Sequence, residues 1–104
     1  MDVKYYIYED ISFDVGPGET FDYRANCQNS GEVPVSAGAQ IVVANDDDEY
    51  KKGLVLCESY PYLLSGEEGW VIRYQNVSQT NINGMFRVYL VCQAGATYQS
   101  QVLN

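Results

Sequence analysis

Phe21-Asp-Tyr-Arg-Ala-Asn-Cys27 and Phe86-Arg-Val-Tyr-Leu-Val-Cys92 are built alike. In each, apolar or aromatic side chains alternate with polar ones, and each ends in a cysteine on the apolar side. Alternation with a period of two marks a strand that buries one face. The two segments predict strands that turn Phe21, Tyr23, Ala25 and Cys27, and Phe86, Val88, Leu90 and Cys92, toward the interior. Asp22, Arg24 and Asn26, and Arg87 and Tyr89, take the outside.

The same pattern extends to either side. Strict alternation in the first segment puts Tyr5, Ile7, Ile11, Phe13 and Val15 inside, and Tyr6, Tyr8, Asp10, Ser12 and Asp14 outside. Gly16-Pro17-Gly18 turns the chain, and residues 28–38 read as a loop. A strand over Gln40–Ala44 leads into an acidic turn, Asn45-Asp-Asp-Asp-Glu49, which reads as a hairpin tip. Another runs from about Gly53 to Tyr60 and closes at Pro61. Next come Trp70, Ile72 and Tyr74 on one face, with Val71, Arg73 and Gln75 on the other. Asn83-Gly84 is a hairpin-turn signal, because both residue types tolerate positive φ. A final strand is expected over Thr97–Leu103. About seven short strands divided by Gly, Pro and Asn predict an all-β, antiparallel β-sandwich, with residues 1–104 forming a single domain.

Composition narrows the function classes. The chain has 104 residues, no histidine and a formal charge of −8. The absence of histidine removes the commonest general base and the commonest transition-metal ligand. An acidic surface repels phosphate backbones and anionic lipid, so neither nucleic acid nor membrane is an expected partner. No apolar run approaches the ~18 residues that span a bilayer. The N-terminal residues have neither the basic start nor the apolar core of a signal peptide. That predicts a chain used without export, or one trimmed of its leader.

Individual residues offer few chemical sites. Cys27 and Cys92 both fall on inward faces, and two states fit them: a disulfide, or two buried thiols serving as small apolar side chains. Cys57 reads as an inert buried thiol, with nothing nearby to lower its pKa. The run Asp46–Glu49 lacks the spaced ligands and the glycine of a calcium loop and reads as a solvated tip. Asn76-Val77-Ser78 fits a glycosylation sequence but reads as an asparagine bonding its own turn. No pair of carboxylates is singled out for acid–base work, so no catalytic residue, cofactor or metal is expected. Ten tyrosines carry more information. Tyr6 and Tyr8, outward by strict alternation, and Tyr89 on the sixth strand form the candidate interface.

Order and spacing add a resemblance. Cys27 and Gly31, Ser36-Ala-Gly38-Ala, Ser59-Tyr-Pro61, Gly69-Trp-Val-Ile-Arg-Tyr-Gln-Asn76 and Arg87-Val-Tyr-Leu-Val-Cys92 resemble a small module of exported bacterial and bacteriophage-related proteins. The match spans roughly residues 10–93 and departs at Gln28, where the module has proline, and at the additional Cys57. The resemblance implies the sandwich and the cysteine pair and leaves the biological role open. The short acidic chain, its want of a signal peptide and its outward tyrosines lead to an expected non-enzymatic structural protein of a virus particle. Such a protein would be a capsid decoration or cement subunit, or a small tail component, located in the virion. It would act through protein partners, as a homo-oligomer or in a capsid or tail lattice. The alternative is an exported bacterial surface or adhesion module, extracellular or at the cell surface, that binds glycans.

Overall fold

The computed structural model describes residues 2–64, 66–97, 99 and 101. Among them run six strands: β1 (Val3–Val15), β2 (Thr20–Asn26), β3 (Glu32–Ala44), β4 (Leu54–Tyr62), β5 (Gly69–Asn76) and β6 (Ile82–Ala94). They form two antiparallel three-stranded sheets, ordered β1-β6-β3 and β2-β5-β4. The chain is an all-β antiparallel sandwich, with the apolar faces of both sheets contributing to one core. The strand expected over Thr97–Leu103 falls mostly outside the described residues.

The core lies where unbroken alternation places it. Ala25 from β2, Ile72 and Tyr74 from β5, and Phe86, Val88, Leu90 and Cys92 from β6 are all buried. Aromatic rings knit the sheets together. Phe21 lies parallel to Phe13 with ring centroids 4.6 Å apart, and 5.3 Å from Phe86, whose ring also meets Tyr23 edge-on at 5.8 Å. Trp70 is partly buried against this cluster and donates its indole N–H to Ser59 Oγ at 2.8 Å. Cys27, just past β2, and Cys92, in the central strand of the other sheet, form a disulfide with Cα atoms 6.0 Å apart. A bridge closing 65 residues of chain stabilises the fold by roughly 4 kcal/mol through loss of unfolded-state freedom.

β1 departs from strict alternation. Tyr8 pairs with Val88 and Ile11 with Phe86, so Glu9 and Asp10 together oppose the single residue Arg87. Asp10 sits at φ 55°, a left-handed conformation that aspartate tolerates better than most residues. This β-bulge inverts the pleat. Beyond it Phe13 and Val15 are buried as expected; before it Tyr6 and Tyr8 turn inward and Tyr5 and Ile7 turn out. The outward placement of Tyr6 and Tyr8 is thereby corrected.

Other local readings are corrected for related reasons. Cys57 is exposed, because it is the extra residue of a bulge between Leu56 and Glu58. Its thiol lies 3.4 Å from the Arg73 carbonyl. Asn83 and Gly84 are not a turn; they lie inside β6, opposite Asp14 and Phe13 of β1. A Cβ on Gly84 would come within 1.8 Å of the Val43 carbonyl, so glycine here serves a close approach of backbones. Residues 32–38 belong to β3 where a loop is expected. Pro34 fits because β3 is an edge strand. The acidic segment is not a hairpin tip either, since β3 and β4 belong to different sheets. Asp47 caps the 3₁₀ turn Asp48–Gly53 by accepting from the Glu49 N–H, and Lys51 and Lys52 pair with Asp48 and Glu49, each at 3.0 Å.

Asn76 closes the bottom of the core. It is fully buried. Its amide donates to the carbonyls of Val15 and Thr80, both at 2.9 Å, and its oxygen accepts from the Ser78 N–H at 2.9 Å and hydroxyl at 2.7 Å. Three of the four bonds lie in its own turn, as the sequence implied, and the fourth ties that turn to the end of β1.

Two substitutions test this packing. Phe86→Ala should cost about 3–5 kcal/mol in denaturant unfolding, since it removes the ring that both sheets share. Asp10→Gly should be close to neutral, whereas Asp10→Val should cost roughly 1–2 kcal/mol, because a β-branched residue resists the left-handed conformation the bulge needs.

Candidate functional site

Cross-strand pairing decides which side chains share the outer face of the β1-β6-β3 sheet. Tyr5 pairs with Val91, which pairs with Ser36; Ile7 pairs with Tyr89, which pairs with Gly38. Directly opposed residues lie on one face, so Tyr5, Ile7, Val91 and Tyr89 form a continuous strip, with Val3 at its end. The strip is uncovered: Tyr5 is 75% exposed, Ile7 56%, Val3 49% and Tyr89 38%. Gly38 leaves open space beside the Tyr89 ring.

One side of this strip is polar. The Tyr89 hydroxyl donates to Gln40 Oε1 at 3.2 Å and accepts from Arg87 Nη1 at 3.3 Å. Arg87 also pairs with Glu9 at 3.3 Å, its charge favoured by the Tyr89 hydroxyl first and by the acidic bulge second. Bonds to its hydroxyl hold the Tyr89 ring in place on the surface. An apolar centre beside polar groups is the usual make-up of a protein-binding patch. Tyr89 is where the sequence places it. Tyr5 and Ile7 take the outward positions expected of Tyr6 and Tyr8.

Tyr6 and Tyr8 do different work. The Tyr8 hydroxyl donates to the Asn26 carbonyl and accepts from the Gln28 amide. Its ring lies 6.1 Å from that of Tyr23. The Tyr6 hydroxyl donates to Glu32 Oε1 at 2.6 Å. Asn29 adds two more donors to the same carboxylate, its backbone N–H and its side-chain amide, both at 3.2 Å. Glu32 is only 3% exposed. Burial alone would raise its pKa, but the bonds from Tyr6 and Asn29, with Lys4 nearby, outweigh it and hold the carboxyl below its ordinary value. The bond to Glu32 correspondingly pushes the Tyr6 phenol upward. Reading residues 28–38 as a loop hid this buried carboxylate.

The outer face of the β2-β5-β4 sheet is more polar. Arg73 at its centre spans Asp22 at 3.1 Å and Glu58 at 2.7 Å, one on each neighbouring strand. The Arg24 guanidinium lies 4.5 Å over the Tyr62 ring and 3.5 Å from Glu67. Asp22, Arg24, Tyr60, Tyr62 and Arg73 line a shallow groove of about 450 Å³.

Among the described residues, one group of acidic and cysteine side chains converges closely enough to hold a metal ion: Cys27, Glu32 and Cys92. Comparison of the chain with family models, curated proteins and solved structures finds no match to any of them.

The sign of the Glu32 shift predicts its pH behaviour. A carboxyl whose pKa is depressed on folding stabilises the fold above the unfolded value, near pH 4, and that contribution is lost as the pH falls through the folded value. Glu32→Gln should lower neutral-pH stability by roughly 1.5–3 kcal/mol, the scale of hydrogen bonds to a charged group. In urea unfolding across a pH series, the gap between parent and variant should close below pH ~4. A gap that stays constant would mean the charge contributes nothing.

Proposed function

We propose that this protein is a non-enzymatic assembly subunit that acts through protein–protein contact, on the outer face of the β1-β6-β3 sheet. The observation that carries the reading is the strip of exposed Tyr5, Ile7 and Tyr89 around half-buried Val91. It runs beside the free edge of β1, which pairs only with β6 among the described strands. Exposed aromatics next to an unpaired edge are a liability on a free monomer unless a partner covers them. The domain is flat, 44 × 36 × 18 Å, and so presents broad faces on the scale of the ~800 Å² per partner that a specific interface buries.

The setting that fits is a virus particle, with the domain as a capsid decoration, cement or small tail component held in a homo-oligomer or lattice. The short chain supports that setting, as does an acidic surface that favours neither nucleic acid nor membrane. A second reading is an exported bacterial surface module that binds glycans. It is favoured by the groove on the opposite sheet, where Tyr60 and Tyr62 stand beside Arg24 and Arg73. Aromatic faces with adjacent planar polar groups suit the alternating apolar and hydroxyl surfaces of a sugar.

One pair of variants separates the readings. Tyr5→Ser with Ile7→Ser should leave the melting transition nearly unchanged, because both side chains are exposed, and weaken self-association or particle binding at least tenfold in sedimentation. Tyr60→Ala with Tyr62→Ala should leave association intact. A chain that stays monomeric at every concentration, binds no particle and loses glycan binding only in the second variant would replace the first reading with the second.

A further inference from the structure

Glu32 is a buried carboxylate that forms no ion pair among the described residues, and it lies against the bridge that pins the two sheets. Its oxygen and the sulfurs of Cys27 and Cys92 all lie within 4.8 Å of one another. We propose that reduction of the Cys27–Cys92 disulfide turns this end of the sandwich into a site for a divalent, thiophilic metal ion such as Zn²⁺, with Cys27, Cys92 and Glu32 as ligands. This goes beyond the assembly reading and does not depend on it.

The geometry suits the ion. Zinc binds thiolate at about 2.3 Å and carboxylate oxygen at about 2.0–2.2 Å, so tetrahedral ligands stand roughly 3.6–3.8 Å apart. Glu32 already lies within reach of that spacing. The sulfurs must part, and with Cα atoms 6.0 Å apart rotation of the side chains achieves this without moving either strand. The carboxylate is held in advance by Tyr6 at 2.6 Å and by Asn29 at 3.2 Å, outer partners of the kind that orient metal ligands. A cavity of about 450 Å³ lined by Cys27, Asn29, Gly31, Glu32 and Glu68 opens beside the cluster. It supplies an entry path and room for water as a fourth ligand.

The step balances. A dithiol delivers two electrons and two protons, the S–S bond breaks to give two thiols, and the dithiol leaves as its own disulfide. Zn²⁺ then displaces both thiol protons to solvent, while Glu32, already ionised, binds without proton change. The metal would hold the two sheets together in a reducing compartment, as the disulfide does in an oxidising one.

The test uses the full chain carrying Cys57→Ser, which removes the exposed third thiol. The disulfide is reduced with a water-soluble phosphine, which becomes its oxide with oxygen from water, and the protein is desalted without air and titrated with Co²⁺. We expect one ion bound per chain, with thiolate-to-cobalt charge-transfer absorption that Zn²⁺ abolishes and that the oxidised protein never shows. Glu32→Gln should weaken binding at least tenfold. Tyr6→Phe should weaken it by about tenfold while retaining the charge-transfer band, as expected of an outer partner. Near-ultraviolet circular dichroism of the packed aromatic residues covers loss of fold on reduction: recovery of the oxidised signal on adding metal supports the site. No charge-transfer band, a chain still unfolded at saturating metal, equal binding by the oxidised form, or Glu32→Gln binding as tightly as the parent would overturn it.

Discussion

A pleated strand offers alternate residues to opposite faces, and β1 must line the same core along its whole length beside β6. Tyr6 and Tyr8 near one end and Phe13 and Val15 near the other can all face that core only if one additional residue intervenes. The bulge at Glu9 and Asp10 supplies it. Without that residue, either the phenol bonds to Glu32 and Asn26 or the Phe13–Phe21 stack would be lost. The exposed Tyr5–Ile7 surface is the other side of the same constraint. Both the buried polar network and the outer apolar strip thus depend on one left-handed residue.

The two ends of the sandwich are held by different chemistry. At one end stands buried Asn76, whose four hydrogen bonds use both its amide and its oxygen. At the other end burial is more polar, with Glu32 accepting three hydrogen bonds beside the Cys27–Cys92 bridge. A charged group there is tolerable because three hydrogen bonds reach its carboxylate and replace most of its lost hydration. It also makes that end the part of the core most responsive to pH and redox conditions.

Legibility in the sequence follows from strand regularity. β2, β5 and β6 carry no bulge, and their core residues, from Phe21 and Ala25 to Leu90 and Cys92, could be named from period alone, although Val71 on the outer face of β5 is buried as well. β1 and β4 carry bulges, and a parity count fails past each of them; Tyr6, Tyr8 and Cys57 were misplaced for this reason. A clue was present, since strict alternation puts Glu9 on the inner face, where an ionised side chain has no partner. β3 was concealed by Pro34 and Gly38, which an edge strand accommodates although a central one would not. Asn83-Gly84 has the composition of a turn, but the need for glycine there comes from the approach of Val43, a contact from a distant part of the chain. Within the candidate site, Tyr89 was legible because its strand is regular, and Tyr5, Ile7 and Glu32 were not.

The strand order carries a kinetic consequence. Among the described strands, only β4 and β5 are neighbours both along the chain and within a sheet; every other connection passes from one sheet to the other. β1 finds its partner β6 only after nearly the whole chain has been laid down. Long loops must therefore close before most of the pairing is rewarded, which is the arrangement that slows β-rich domains. The β4–β5 hairpin is the piece that local contacts can form early, and the remaining strands must assemble around it through the aromatic residues that meet between the sheets.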